Sequence, residues 1–232
     1  MKVAIVTGAS RGLGLALARE LADRGWDLVI DARGEDVLGE AAAELAGRTT
    51  VLAIPGDVSD AHHRRDLVEA ARRLGGVDAV VNNASLLGPS PQPALADYPI
   101  DELRRVYEVN VFGPLALVQE SLSALRPGGR VVNITSDAAV EAYEGWGGYG
   151  SSKAALEQVT AVLAAERPDL RVYRVDPGDL RTQMHQEAFP GEDISDRPPP
   201  EVAVPGLVKL LEGNLPSGRY RAQELVKAVA AR

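Results

Sequence analysis

Tyr149 and Lys153 stand four residues apart in Tyr149-Gly150-Ser151-Ser152-Lys153, a stretch whose pattern opens a helix. Positions i and i+4 share a helix face, so the ammonium is expected beside the phenol. A nearby positive charge favours the phenolate and is expected to draw the tyrosine down from its ordinary value of about 10. Tyr149 would then serve as a general acid/base. The same spacing also fits an amphipathic helix with a surface lysine. Ser136 closes a strand pattern upstream of Tyr149. Its hydroxyl can hold a substrate carbonyl, or it can cap a turn. Asn110 lies within a long helical stretch, four residues before Pro114. Proline has no N–H, so the carbonyl of residue 110 is expected to lose its donor and the helix to kink. That carbonyl could bind a water leading toward Lys153, or the kink could simply be tolerated.

A second group of residues suits a phosphate. Thr7-Gly8-Ala9-Ser10-Arg11-Gly12-Leu13-Gly14 joins a strand pattern to a helix pattern. Glycines at such a junction let the backbone turn tightly and approach a pyrophosphate resting on the helix N-terminus. The spacing is G-x-x-x-G-x-G, and it lacks the Lys-Ser/Thr pair of a P-loop.

These residues need a scaffold, and apolar periodicity describes one. Strands are expected over residues 2–7, 27–31, 50–55, 78–82, 130–135 and 170–175. Helices are expected from 13 to about 25, and over 36–46, 60–74, 101–125, 149–167 and 201–212, with a last short strand at 218–222. Strands alternating with helices imply parallel pairing, and strands apolar throughout imply a sheet covered on both faces. The expected fold is α/β, a single doubly wound Rossmann-type domain over residues 1–232 with about seven parallel strands. Residues 177–200 have no clear period and are expected to form a mobile substrate loop with some helix.

Bulk properties narrow the chemistry. The chain has 232 residues, a formal net charge of -8, and no cysteine, which excludes disulfides and thiolate chemistry. The charge disfavours nucleic-acid binding. His62, His63 and His185 have no ligand spacing, so no metal is expected, and His62 and His63 read as solvent-facing near a helix start. No apolar run approaches a membrane span. Met1 leads straight into a strand pattern, so a cytoplasmic protein is expected.

Taken together, these segments resemble the short-chain dehydrogenase/reductase family over roughly residues 1–182. The family's T-G-x-x-x-G-x-G is similar to Thr7 through Gly14. Its N-N-A-G corresponds to Asn82-Asn83-Ala84-Ser85, with Ser85 in place of the last glycine, a change expected to crowd the backbone there. Its Asn-Ser-Tyr-Lys tetrad falls on Asn110, Ser136, Tyr149 and Lys153, and its P-G-x-x-x-T on Pro177-Gly178-Asp179-Leu180-Arg181-Thr182. The resemblance implies an oxidoreductase moving a hydride between nicotinamide and a carbonyl or secondary-alcohol carbon, without metal. Ser136 would orient the substrate, Tyr149 would protonate the developing alkoxide, and Lys153 would also bind the nicotinamide ribose. Gly8, Ser10, Arg11, Gly12, Leu13 and Gly14 would hold the pyrophosphate. Asp57, followed by Val58, would meet the adenine. Asn83 and Ala84 would line the adenosine side. Pro177, Gly178, Leu180 and Thr182 would contact the nicotinamide end.

The nicotinamide type turns on the end of the second strand. Asp31 argues for NAD(H); Arg33 and Arg11 argue for NADP(H). On the family pattern the NAD-selecting acid would fall at Ala32, so NADP(H) is favoured and NAD(H) remains possible. The C-terminal segment lacks the Gly-Gly tail of tetrameric members, so a homodimer through the helices near 101–125 and 149–166 is expected, with a tetramer possible. The acidic stretch 187–196 is expected to disfavour anionic substrates. The alternative function is a catalytically silent NADP(H)-binding sensor or scaffold. The extended epimerases and dehydratases fit less well, because their glycine spacing and larger C-terminal domain are missing.

Overall fold

Side chains alternate across a strand, and here both faces of the inner strands are covered, while the two edge strands are only partly so. In β1 (Val3–Val6), Val3 and Ile5 pack on one side of the sheet while Ala4 and Val6 pack on the other. The computed structural model describes residues 1–230. The strands β1, β2 (Asp27–Ala32), β3 (Val51–Pro55), β4 (Val77–Asn82), β5 (Leu125–Ile134), β6 (Arg171–Asp176) and β7 (Gly218–Arg221) form one parallel sheet in the order β3-β2-β1-β4-β5-β6-β7. One layer buries Leu17 and Leu21 of α1 (Gly12–Asp23), Leu38 and Leu45 of α2 (Glu35–Leu45), and Leu207 and Leu211 of a later helix, 204–212. The opposite layer buries Leu67 and Ala71 of α3 (Ala61–Arg73) with Leu117 and Val118. The chain order reverses between β1 and β4, and the strands' C-terminal ends open a crevice there.

The expected helix over 101–125 is interrupted as Pro114 requires. It divides into α4 (Ile100–Tyr107), a π-turn (Glu108–Phe112) in which Gly113 N–H donates to the Glu108 carbonyl, and α5 (Gly113–Ser121). A π-turn adds a residue to one turn, which re-aims the side chains inside it. The expected turn at 126–129 is absorbed into β5, whose pairing with β4 shifts register between Val77 and Ala79. Helices α6 (Gly147–Glu166), α7 (Gln183–Ala188) and α8 (Val204–Glu212) follow. Helix α9 (Ala222–Ala230), for which the local pattern gives no sign, follows β7, and Gln223 at its start donates to the Pro177 carbonyl at 3.0 Å. No helix among the described residues is long and apolar enough to cross a membrane.

Candidate active site

The crevice at the β1/β4 switch is a cleft of about 700 Å³. Its floor is the glycine-rich turn. Asn83 pins that turn: its side-chain amide donates to the carbonyls of Thr7 (2.9 Å) and Gly8 (3.1 Å). The Thr7 hydroxyl accepts the backbone N–H groups of Asn83 and Ala84, both at 3.0 Å. Asn83 thus braces the cleft as well as lining it. Gly8 has φ +65°, and a Cβ there would sit 2.9 Å from the Ala84 Cα. Gly14 faces away from the cleft. A Cβ on it would meet the Gly8 carbonyl oxygen at 2.4 Å, so this glycine brings α1 against the turn. Gly14→Ala is expected to destabilise the protein by about 1–3 kcal/mol in urea unfolding, despite alanine's better helix propensity. Gly39→Ala, in α2 with open space around it, is the control and should be neutral or stabilising.

The start of α1 suits an anion. Its N-cap, Arg11, makes no side-chain cap, and the first turn holds no acid. Backbone N–H groups there lack intrahelical partners and carry the positive end of the helix dipole. Arg11 and Arg33 bring guanidinium groups to the same cleft, Arg11 reaching Gln183 of α7. A glycine cradle with uncapped N–H groups and two cations fits a dinucleotide carrying phosphates.

Asp31, the residue that argued for NAD(H), is 1% exposed. One carboxylate oxygen accepts Gly8 N–H at 2.7 Å, and the other meets His63 Nε2 at 2.9 Å. This corrects the expectation that His63 faces solvent: only His62 does, paired with Asp66. His63 shares a helix face with Leu67 and Ala70, a periodicity in the sequence that marks it as inward. An acid inside an apolar strand also demands a buried partner. Asp57 accepts the N–H and hydroxyl of Ser59. Burial pushes its carboxyl up, but those bonds and the charges of Arg33 and Arg105 outweigh it and hold it below the usual range.

At the far end of the cleft lie Ser136, Tyr149 and Lys153. Ser136 follows β5 and caps a 3-10 turn (Asp137–Ala139). Its hydroxyl donates to Asp137 Oδ1 at 2.9 Å and accepts Ala138 N–H at 3.2 Å. It is therefore a cap that also faces the cleft. Tyr149 and Lys153 lie one turn apart on α6, with Nζ 5.5 Å from the phenol ring centre. Lys153 Nζ donates to the Ile134 carbonyl at 2.8 Å. The expectation that Lys153 draws the phenol down is corrected. Burial raises the Tyr149 phenol above its ordinary value and the charges of Asp137 and Asp176 add to this, while the nearby hydroxyls of Ser85 and Ser136 pull it partly back. Burial also pushes Lys153 down to about 7, which weakens the charge that was to act on the phenol.

Asn110 is fully buried and stands behind the cleft wall. Its amide donates to the Leu86 carbonyl and the Ser152 hydroxyl, both at 2.9 Å. Its Oδ1 accepts Leu86 N–H at 2.8 Å and the Ser85 hydroxyl at 3.1 Å. The π-turn aims this side chain, which clamps the loop after β4 to the helix carrying Tyr149. Ser85 finds a partner where crowding was expected. Of the sequence-derived residues, all but Gly14 and Asn110 line the cleft. Thr182 caps α7 by accepting His185 N–H at 3.2 Å, and its methyl group would meet a Cβ on Gly12 at 3.6 Å. Sequence reasoning missed Asp137, and Arg219 of β7, which contacts the Ser136 carbonyl and pairs with Glu157. Asp137 is adjacent to Ser136, but no local pattern announces Arg219.

The short chain dehydrogenase family model matches residues 2–193. The mouse (Mus musculus) protein sepiapterin reductase is 34% identical over 201 residues, covering 80% of this chain and 77% of its own. Benzil reductase ((S)-benzoin forming) of Saccharomyces cerevisiae is 33% identical over 196 residues, 80% of this chain and 74% of its own. An alcohol dehydrogenase from the archaeon Thermococcus sibiricus, complexed with 5-hydroxy-NADP, superposes with a TM-score of 0.86 at 32% identity, over 95% of each chain. Fold, glycine cradle and sequence kinship agree: the chain belongs to the short-chain dehydrogenase family of oxidoreductases.

Proposed function

We propose that the protein is an NADP(H)-dependent oxidoreductase that reduces a carbonyl, or oxidises a secondary alcohol, with Tyr149 as the proton donor and acceptor. One observation carries this reading: a tyrosine, a serine and a lysine converge at one end of a cleft whose other end is a glycine-rich cradle flanked by Arg33. When bound, the dinucleotide supplies or accepts the hydride. The cradle of Gly8, Gly12 and the α1 N-terminus would hold its pyrophosphate, with Ser10, Leu13 and Arg11 beside it. Asn83, Ala84, Asp57 and Val58 would frame the adenosine half, and Pro177, Gly178, Leu180 and Thr182 the nicotinamide half.

Tyr149 would donate its proton to the oxygen of the forming alkoxide. Its raised phenol value keeps that proton in place at working pH, which suits reduction. Ser136 would hold the carbonyl oxygen. Lys153, poised near neutrality, would replenish the proton on Tyr149. Asn110 would keep the loop after β4 and α6 in register. Leu87, Ala138, Trp146, Met184 and Ala188 cluster around Tyr149 and support an apolar substrate. Residues 177–200, including α7, would form the substrate loop. Ile100, Phe112 and Val162 are exposed on the helices expected to pair, which supports a homodimer.

The test is NADPH absorbance with a panel of ketones, aldehydes and quinones. Consumption with at least one of them is expected; none would leave a silent binder. Arg33→Ala is expected to weaken NADPH binding roughly tenfold or more relative to NADH, because a guanidinium suits a 2′-phosphate. Unchanged relative affinities in calorimetric titration would remove Arg33 from this role.

A further inference from the structure

Strand β7 lies at the sheet edge beside β6. Alternation sends Tyr220 to one face, where it packs edge-on against Tyr173, and Arg219 and Arg221 to the other. On that face Arg219 meets three elements. Its Nε donates to Glu157 Oε1 at 2.9 Å, on the helix that carries Tyr149 and Lys153. Its Nη2 lies 3.3 Å from the Ser136 carbonyl, just beyond β5, and 3.5 Å from Asp176 Oδ2, at the end of β6. Asp176 is 3% exposed and lines the same cleft as Ser136, Tyr149 and Lys153. Its other oxygen accepts Gly178 N–H at 2.9 Å. Burial pushes its carboxyl up and the charge of Asp137 adds to this, while Gly178 N–H and the guanidinium groups of Arg219 and Arg221 pull it back. Arg221 is the looser partner: it stands 3.6 Å from Asp176, is half exposed, and also faces Glu141 and Glu224.

We infer that Arg219 is a positioning residue for carbonyl reduction: from the edge strand it offsets the charge of Asp176 in the cleft wall and ties β5, β6 and α6 together around Ser136. The inference rests on the oxidoreductase reading of the cleft. Hydride transfer to a carbonyl builds negative charge on the substrate oxygen, which that reading places at Ser136 and Tyr149. A fixed negative charge in the same wall opposes this, and the more so where water is excluded. Asp176 and Asp137 are the acids that act on Tyr149, Lys153 lies beside its ring, and Asp179, His185 and Glu187 also line the cleft. With Arg219 in place, Asp176 and Glu157 are balanced by Arg174 and Arg219. Without it, a buried acid loses its cation. An uncharged ketone has no negative charge to repel before hydride transfer, so the effect belongs to the transition state and not to substrate binding. Arg219 is not part of the cleft lining. It acts through Asp176.

The experiment measures kcat and KM at about pH 8, above the ordinary carboxyl range. The probe is whichever of benzaldehyde, acetophenone, cyclohexanone and menadione the parent reduces fastest with NADPH; all are uncharged. Arg219→Gln removes the charge and keeps an amide donor. It is expected to lower kcat about tenfold or more, with KM and the NADPH dissociation constant within about threefold of the parent. Arg219→Lys keeps the charge and should hold kcat within about threefold. Adding Asp176→Asn to Arg219→Gln should recover most of the loss, because the two side chains form one coupled unit and asparagine still accepts Gly178 N–H. A purely structural Arg219, acting by its bond to Glu157, would show the same loss in both backgrounds. If Arg219→Gln alone does not fold, the step from Asp176→Asn to the double variant decides: a fall in kcat under about threefold supports the inference, and a larger one overturns it. A kcat within about threefold of the parent in folded Arg219→Gln, or a loss that Asp176→Asn does not relieve, overturns the inference and leaves the oxidoreductase reading standing. If the parent reduces none of the probes, that reading falls and takes the inference with it.

Discussion

Tyr149→Phe is expected to lower turnover by about 10²–10⁴-fold, while NADPH affinity stays within a few-fold of the parent. The substitution removes one hydroxyl and keeps the ring. That ring packs edge-on against Trp146, with centroids 5.8 Å apart, and lies beside Lys153. Neither contact needs the oxygen. Desolvation of the phenol is the main reason its proton is held so firmly, so phenylalanine in its place leaves no buried group in want of a partner. Stability should therefore hold, and the loss should appear in the chemical step. Steady-state rates across pH, alongside direct NADPH titration, separate these effects. Turnover within tenfold of the parent, with the same pH profile, would remove Tyr149 from its assigned role.

Lys153→Met should produce two effects of opposite character. Turnover is expected to fall by at least about 10²-fold, because the group that replenishes the phenol proton is gone. Stability should change in a way that depends on pH. Lys153 is 2% exposed, and burial pushes its ammonium down to about 7 from an ordinary lysine value of 10.5. Below pH 7 the amine is protonated in both folded and unfolded chains, and the folded state bears the full cost of the buried charge. Between pH 7 and 10.5 the unfolded chain binds the extra proton, so stability rises with pH, by at most about 1.4 kcal/mol per unit. Methionine has no such proton. Urea unfolding of both proteins from pH 6 to 9.5 should show the parent gaining on Lys153→Met as pH rises. Parallel pH curves would mean that the ammonium is not destabilised where it sits. Methionine also leaves the Ile134 carbonyl without its donor, which offsets part of any gain at low pH.

The Lys153 case also separates what local spacing determines from what it cannot. A four-residue interval sets two side chains on one face of α6, and they are there. It says nothing of the medium around them. Solvation is a property of the whole cleft, and it reversed the expected direction of the Tyr149 shift. Asn110 divides in the same way. Pro114 marked an irregular helix from sequence alone. The loop at Ser85 and Leu86 and the Ser152 hydroxyl that its side chain joins come from other elements.

By itself the amino-acid sequence determined most of the order of strands and helices, the glycine-rich junction, and the interval that sets Tyr149 and Lys153 on one helix face. Those features rest on interactions within a few residues: apolar period, turn-forming glycines, and i to i+4 neighbours. Only the tertiary structure decided that Asp31 is buried in a pair with His63, that Arg219 contacts the Ser136 carbonyl and pairs with Glu157, and that residues 222–230 form a helix whose Gln223 reaches the Pro177 carbonyl. Each of those depends on partners at least 32 residues apart in the chain. Whether a carboxylate faces a cleft or a histidine is settled by which groups the fold brings within 3 Å of it, and no local pattern carries that information.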